Sequence, residues 1–398
     1  MELNNLKSLK ELHLQKLYFD STFTLNLVNL EKLTLINCTN LTIAEGSCLN
    51  LKYLKLFECI LNKSERLLIK FPMLEECILQ DQLLHSEQIY NEIIDFSSLQ
   101  KLKYLECEKA DFIYLKNSIL EKVILYSKNK DEFYKSNEYE IEKKTIEKLI
   151  SINTLKSIYI ILKKIDDCEI AKIKGKNNSV TDIYINWNNE NDCILYSLQN
   201  KFINLRNISI KTLTIKNNTP SLKIKPNPNS NIKKFTLSSI GNGVIGFYIE
   251  SYINLGEINL ILDNDIDNLE EIFPIFNNNC DIIFTALTNF NLTYHHWKGI
   301  STQNLNNFIN NIDKMPSLNK FTLICNSYIT KENYNKLKRK ILSLNLNYAN
   351  ISINNIPNLE KLRKNDDNNG ENSKRLKRIC CNFDTANLNK LYINKYKE

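Results

Sequence analysis

Long apolar runs are missing from this chain. No segment approaches the roughly 18 consecutive apolar residues that a membrane-spanning helix needs, and no basic start followed by an apolar stretch marks a signal peptide. The expectation is a soluble protein of the cytoplasm, with the nucleus as the alternative, and no membrane span. Histidine is scarce, with four in the chain. His13 and His85 stand alone, and the adjacent His295 and His296 cannot both project the same way from a regular strand. None has a cysteine or carboxylate partner at zinc spacing, so no metal site is expected. Eight glycines and seven prolines leave little for collagen-like or disordered linker segments.

Signatures of chemistry are also absent. There is no Walker motif, nucleophile elbow or kinase set. Gly241 to Gly246 reads G-x-G-x-x-G, but no helical start follows it and no β-α-β unit surrounds it, so it reads as a loop and no cofactor is expected. The eleven cysteines are an odd number without paired flanking clusters, and Cys380-Cys381 lacks a C-x-x-C frame. Buried, reduced thiols are the expectation, and the chain is read as no enzyme.

What is present is recurrence. The frame Φ-x-x-Leu-x-x-Φ-x-Φ, with Φ a large apolar residue, occurs at Leu6 to Leu14, Leu27 to Leu35, Phe202 to Ile210, Tyr252 to Leu260 and Met315 to Leu323. Its central anchor falls at Leu9, Leu30, Leu51 and Leu74, at intervals of 21, 21 and 23 residues. It continues at Leu102, Leu120, Leu155, Val180, Leu205, Ile232, Leu255, Leu287, Leu318, Tyr348, Leu359 and Leu388. A unit of this length buries its apolar edge only against its neighbours, so the recurrence predicts a solenoid.

The stretches Leu30 to Cys38 and Leu51 to Cys59, closed by Leu41 and Leu61, give the pattern its sharpest form. They resemble the leucine-rich repeat superfamily, with mixed cysteine-containing and ribonuclease-inhibitor-like repeat lengths. The resemblance implies an α/β fold: a curved leucine-rich repeat solenoid with parallel strands on the concave face and helices or irregular arcs on the convex face. Within each strand, alternation sends Leu33 and Leu35 inward and Thr34 outward. Cys38 and Cys59 occupy the family's Asn/Cys turn slot. Asn188 and Asn326 also fit it, whereas Lys128, Lys163, Leu213, Ile240 and Asp263 do not, which predicts irregular stacking in the middle.

Helical periodicity marks Glu87 to Phe96, Glu140 to Ile150, Glu190 to Phe202, Asp267 to Phe276, Gln303 to Ile312 and Lys331 to Leu344. In the second of these, Ile141, Ile146, Leu149 and Ile150 form the apolar stripe. The domain reading is therefore 1–363 solenoid, 364–387 polar basic loop and 388–398 a terminal repeat strand. The first frame begins at Leu6, which leaves its unit's edge to an unusual cap, a partner or a sequence upstream of Met1.

Of the net charge of +7, residues 331–398 hold fifteen Lys or Arg against seven acids, so the preceding body is close to neutral. The runs Lys336 to Lys340 and Lys374 to Arg378 read first as solvated surface, and nucleic acid is not the expected partner. The concave row offers the binding surface. Its early strands carry charge, at Lys10, Glu11, Glu31, Lys32, Lys52, Lys55, Glu75 and Glu76, with Phe57 beside them. Later strands carry Tyr126, Tyr159, Ile161, Tyr184 and Trp187, the aromatic composition that interface hot spots favour. The expected function is a non-enzymatic scaffold that binds a protein partner through Lys55, Phe57, Tyr126, Tyr159, Tyr184 and Trp187. The alternatives are a ubiquitin-ligase substrate receptor of the F-box type and a GTPase regulator, for which Arg206 is the candidate residue.

Overall fold

The computed structural model describes residues 6–44, 46–61, 71–80, 99–113, 119–126, 138–163, 165, 167–187, 195–213, 222–224, 232–240, 245–247, 254–262, 273–278, 280–281, 283–294, 300–326, 331–344, 346–354, 378–384 and 388–394. Two residues after each anchor a strand begins. These strands are Glu11–Gln15, Lys32–Ile36, Tyr53–Phe57, Glu76–Gln80, Tyr104–Glu108, Lys122–Tyr126, Ser157–Leu162, Asp182–Trp187, Asn207–Leu213, Lys234–Ile240, Glu257–Leu262, Asn289–Tyr294, Lys320–Asn326 and Tyr348–Asn354. The 14 strands follow chain order in one long parallel sheet that does not close into a barrel. The chain divides into two compact units, Met1–Ile183 with Lys201–Asn204 and Tyr184–Asn200 with Leu205–Glu398.

In the first unit, Leu30, Leu51, Leu74, Leu102, Leu120 and Leu155 have no exposed surface. The strands put Leu33 opposite Leu12 and Leu54, and the same inward row continues through Cys77, Leu105, Val123 and Ile158. At Leu30, Leu51, Leu74, Leu102 and Leu155 the anchor N–H closes a tight turn onto the carbonyl three residues earlier, as in Leu30 to Leu27 (3.3 Å) and Leu51 to Cys48 (3.0 Å). The next two N–H groups then share one carbonyl of the preceding repeat: Glu31 and Lys32 both donate to Lys10, and Lys52 and Tyr53 both donate to Glu31.

The first repeats carry a second strand where a helix or irregular arc was expected. Tyr18–Leu25, Thr39–Ile43 and Ile60–Leu61 form a separate three-stranded sheet. The chain reaches it through left-handed residues directly after the main strands, Lys16 (φ 54°), Asn37 (φ 52°) and Glu58 (φ 49°). Their N–H groups are spent on the next repeat, on Ile36, Phe57 and Gln80 carbonyls respectively. That pairing holds non-glycine residues in a conformation they rarely adopt.

Further along, the helix Glu138–Ser151 has acids in its first turn and Lys148 in its last, as the helix dipole favours. It buries Glu142, Thr145, Ile146, Leu149 and Ile150, so a charged Glu142 sits in the stripe where Ile141 was expected. Its carboxylate accepts from Lys109 Nζ (2.5 Å), Lys163 N (2.9 Å) and Ile165 N (2.9 Å). Both charged side chains of the pair are almost fully covered. Three successive segments are thereby pinned to one group.

Asn177 plays a similar part with neutral chemistry. It occupies the turn position filled elsewhere by Leu27, Cys48 or Phe71, and its Nδ2 donates to the carbonyls of Leu149, Ile150 and Ile152, the orphan acceptors at the helix end. Its Oδ1 accepts from Ser179 N and Val180 N, replacing the backbone turn.

In the second unit an aromatic cluster joins the aliphatic inward rows. Phe290 stacks on Phe273 (5.1 Å), Phe308 (5.9 Å) and Phe321 (6.1 Å), and Phe276 stacks on Phe308 (5.3 Å). Phe308 comes from the helix Thr302–Asn311, capped by Ser301, whose side chain accepts from Asn304 N (3.1 Å). Asn307 and Asn311 on that helix are buried and donate back to the carbonyls of Phe276 (3.0 Å) and Ile275 (3.1 Å). A last helix, Lys331–Ser343, buries Leu337 and Ile341. Its basic run is partly tethered, with Lys336 on Asn310 (2.6 Å) and Lys340 on Asp313.

Two positions differ from expectation. The strand Tyr348–Asn354 pairs with Tyr348 opposite Lys320, so the anchor matching Leu318 is the buried Leu346 and not Tyr348. Its outer neighbour, Leu388–Asn394, runs antiparallel and pairs in turn with Arg378–Asp384, a strand inside the stretch read as loop. The segments expected to be helical at Glu87 to Phe96 and Asp267 to Ile272, and the residues His85, His295, His296, Gly241, Gly243, Leu359 and Lys374, lie outside the described residues. Ile245–Phe247, which contains the last glycine of the pattern, Gly246, is a strand paired with Leu222–Ile224.

Cys38, Cys48, Cys59, Cys77 and Cys325 are buried thiols, and Cys168 is exposed. Cys38 donates across repeats to the Leu14 carbonyl (3.5 Å), the bridging role its slot implies. Burial pushes Cys59 up to about 11 and Cys325 up to about 12. Two outcomes follow. Cys168 alkylates in the folded protein, while Cys59, Cys77 and Cys325 react only on unfolding, as mass mapping of labelled peptides will show. Replacing Glu142 by Ala strands Lys109 and two N–H groups, and lowers the unfolding free energy by about 3–5 kcal/mol in a denaturant titration.

Candidate functional site

Outward residues of consecutive strands fall into rows because the parallel register is unbroken along the first unit. The row nearest the anchors holds Lys10, Glu31, Lys52, Glu75, Lys103, Glu121 and Lys156, each donating its N–H to the carbonyl of the one before. From Lys10 to Lys156 the signs alternate, and the next rung, Thr181, is uncharged. Glu31 lies 3.1 Å from Lys10 and 2.9 Å from Lys52. Lys103 lies 3.5 Å from Glu75, and Lys156 lies 2.8 Å from Glu121. Hydrogen bonds from Lys52 and Lys10 hold the Glu31 carboxyl below its ordinary range, and Lys156 does the same for Glu121. Charges expected to face a partner are therefore largely engaged with one another.

One step along the strands, Glu11, Lys32, Tyr53, Glu76, Tyr104 and Lys122 stand side by side. Lys32 reaches to 4.0 Å from Glu11 and sits over the Tyr53 ring at 5.2 Å, while Lys122 sits over Tyr104 at 5.3 Å. The third row runs His13, Thr34, Lys55, Ile78, Glu106, Ile124 and Tyr159. Here Glu106 accepts from Tyr104 Oη (3.0 Å) and from the Gln80 amide. Thr34 is nearly covered, because a short side chain between His13 and Lys55 is shaded by both.

The expected binding residues fall as follows. Lys55 and Tyr159 share the third row; Phe57 lies beside Ile36 and Gln80, and Tyr126 beside Glu108, in the next. All four are half-buried, as rings and stems on a sheet face are. Tyr184, also half-buried, belongs to the second unit and is described with it. The side chain of Trp187 lies outside the described part.

In the second unit the corresponding outward row is short and polar: Ser209, Thr236, Asn259, Asn291, Thr322 and Asn350. Asn259 donates to Thr236 Oγ1 (3.2 Å) and to Glu257 (2.9 Å), and accepts from Asn291. Burial acts to raise the Glu257 carboxyl, but hydrogen bonds from Asn259 and Lys234 outweigh it and hold the group low. Arg206 is exposed at the rung position, followed in register by Lys233, so the alternation of sign does not extend here.

The slot after the strands predicts an interrupted asparagine ladder, and Asn188 lies outside the described residues. Before the strands, three asparagines bridge to the preceding repeat: Asn29 donates to Lys7 (2.7 Å), Asn50 to Val28 (3.2 Å) and Asn204 to Asn178 (2.6 Å). Alignment on the anchors carries the signal, since each of these asparagines immediately precedes one. Among the described residues no group of three His, Cys, Asp or Glu converges as metal ligands, and no helix is long and apolar enough to cross a membrane.

The ladder has a pH signature. A carboxyl held below its unfolded value stabilises the fold above the ordinary carboxylate range, and that contribution is lost as pH falls through the lowered value. The melting temperature therefore drops on acidification below about pH 4. Replacing both Glu31 and Glu121 by Gln flattens that drop, and molar salt flattens it too, as thermal melts between neutral and acid pH will show. No protein-family model and no curated protein matches the chain, so the assignment of this surface rests on its own geometry.

Proposed function

We propose that the chain is a leucine-rich-repeat solenoid that acts without catalysis, as an intracellular scaffold holding a protein partner on the exposed, concave face of its sheet. The supporting observation is the row structure. Consecutive strands present Lys55, Ile78, Glu106, Ile124 and Tyr159 at fixed intervals on a backbone that is hydrogen-bonded throughout, while the core-forming residues face the other way. A rigid wall whose outward positions are free to vary suits recognition of an extended protein surface. Half-exposed tyrosines and a phenylalanine supply apolar area at low conformational cost.

The test compares the native chain with a Tyr159→Ala/Tyr184→Ala variant, and with Lys55→Glu, in cross-linked capture from cell extract followed by mass spectrometry. The expected result is a set of partners retained by the native chain and lost, by at least about tenfold, from both variants with unchanged circular dichroism. Equal recovery by all of them refutes the binding face.

A further inference from the structure

On the exposed face of the first unit, one row reads Lys32, Tyr53, Glu76, Tyr104, Lys122, a sequence that is symmetric about its centre. The two tyrosines are two strands apart, about 9–10 Å at ordinary sheet spacing. That gap admits one flat or rod-like side chain between the rings. Glu76 lies between them and is exposed, and its carboxylate takes no hydrogen bond or ion pair among the described residues. Most neighbouring acids differ in this respect: Glu31, Glu75, Glu121 and Glu11 each have a lysine, and Glu106 has Tyr104 and Gln80.

The protein's own lysines show what the rings accept. Lys32 and Lys122 each place an ammonium over a tyrosine, at 5.2 Å and 5.3 Å, and they approach from the outer strands. The strand that carries Glu76 lies on the other side of both tyrosines from those lysines. Ring quadrupoles and an unpaired carboxylate favour the same charge, so the two attractions add for a cation and oppose an anion.

We propose that Tyr53, Glu76 and Tyr104 form a slot for a cationic side chain, arginine or lysine, presented by a protein partner. This rests on the reading of the sheet face as the binding surface. A guanidinium lying between the rings meets two π faces and donates to Glu76, whereas an uncharged isostere keeps the stacking and loses the charge. The flanking Lys32 and Lys122 deter a second cation on either side, so the slot selects an isolated basic residue over a polybasic run.

The experiment is a calorimetric titration of the full chain with two acetylated, amidated five-residue peptides of glycine and serine. One has a central arginine and the other a central citrulline, which has the same shape without the charge. Arginine peptide binding is expected to be saturable and roughly tenfold tighter than citrulline peptide binding. It should weaken by a similar factor in Glu76→Gln and in Tyr104→Leu, and stay within about twofold in Tyr53→Phe and Tyr104→Phe, which keep the ring faces. Because Glu76 is exposed, its variant reports on the slot without a folding cost.

Equal binding of the two peptides, or undiminished binding by Glu76→Gln, overturns the slot. If the titration fails while partner capture still depends on Tyr159 and Tyr184, the slot alone falls. If partner capture shows no such dependence, the wider reading of the face falls, whatever the titration gives.

Discussion

Everything in this molecule hangs on one doubly used carbonyl per repeat. The residue after each anchor offers a single C=O, and two successive N–H groups of the next repeat take it, as Glu31 and Lys32 take Lys10. A buried anchor fixes where that carbonyl lies, and the turn onto the residue three before it fixes its direction. Once both are set, strand register and the sorting of side chains into inward and outward rows follow without further instruction. Repeats of different length can therefore coexist: the segment between strands is free to be a second strand, a helix or an irregular arc, provided it returns an apolar residue to the anchor position.

Much of this was legible from the residues alone. The anchors from Leu30 to Leu318 are all buried, and each precedes a strand at the same offset. The departures have physical causes. Tyr348 is a large apolar residue near the expected interval, but Leu346 stands two positions earlier and keeps the offset. The apolar stripe of Glu138–Ser151 was drawn through Ile141, since no periodicity argument places a carboxylate in a core. Glu142 is there because Lys109 and two backbone donors, distant in sequence, converge on it. The second strands of the first repeats are not legible in the sequence, because two of the left-handed corners, Lys16 and Glu58, use residues that do not announce such a turn, and Asn37 does so only in one repeat.

The candidate surface was legible in composition and not in pairing. Lys10, Glu31, Lys52 and Glu75 read as display residues when each repeat was taken alone, and their mutual neutralisation emerged only when the repeats were stacked. Exposed pairs of this kind contribute little to stability in water. What they supply is discrimination, because a misaligned neighbour would face its own sign. The proposed recognition rests on the apolar and aromatic positions of the outer rows, and the nearly neutral ladder beside them adds little long-range field.

The strict alternation of sign also bears on how such a chain can lengthen or shorten over generations. Excision of a single repeat from between Lys10 and Lys156 would bring two like charges into adjacent rungs, whereas loss or duplication of a pair would leave every rung facing its opposite. Only even steps therefore preserve the charge pattern of this stretch.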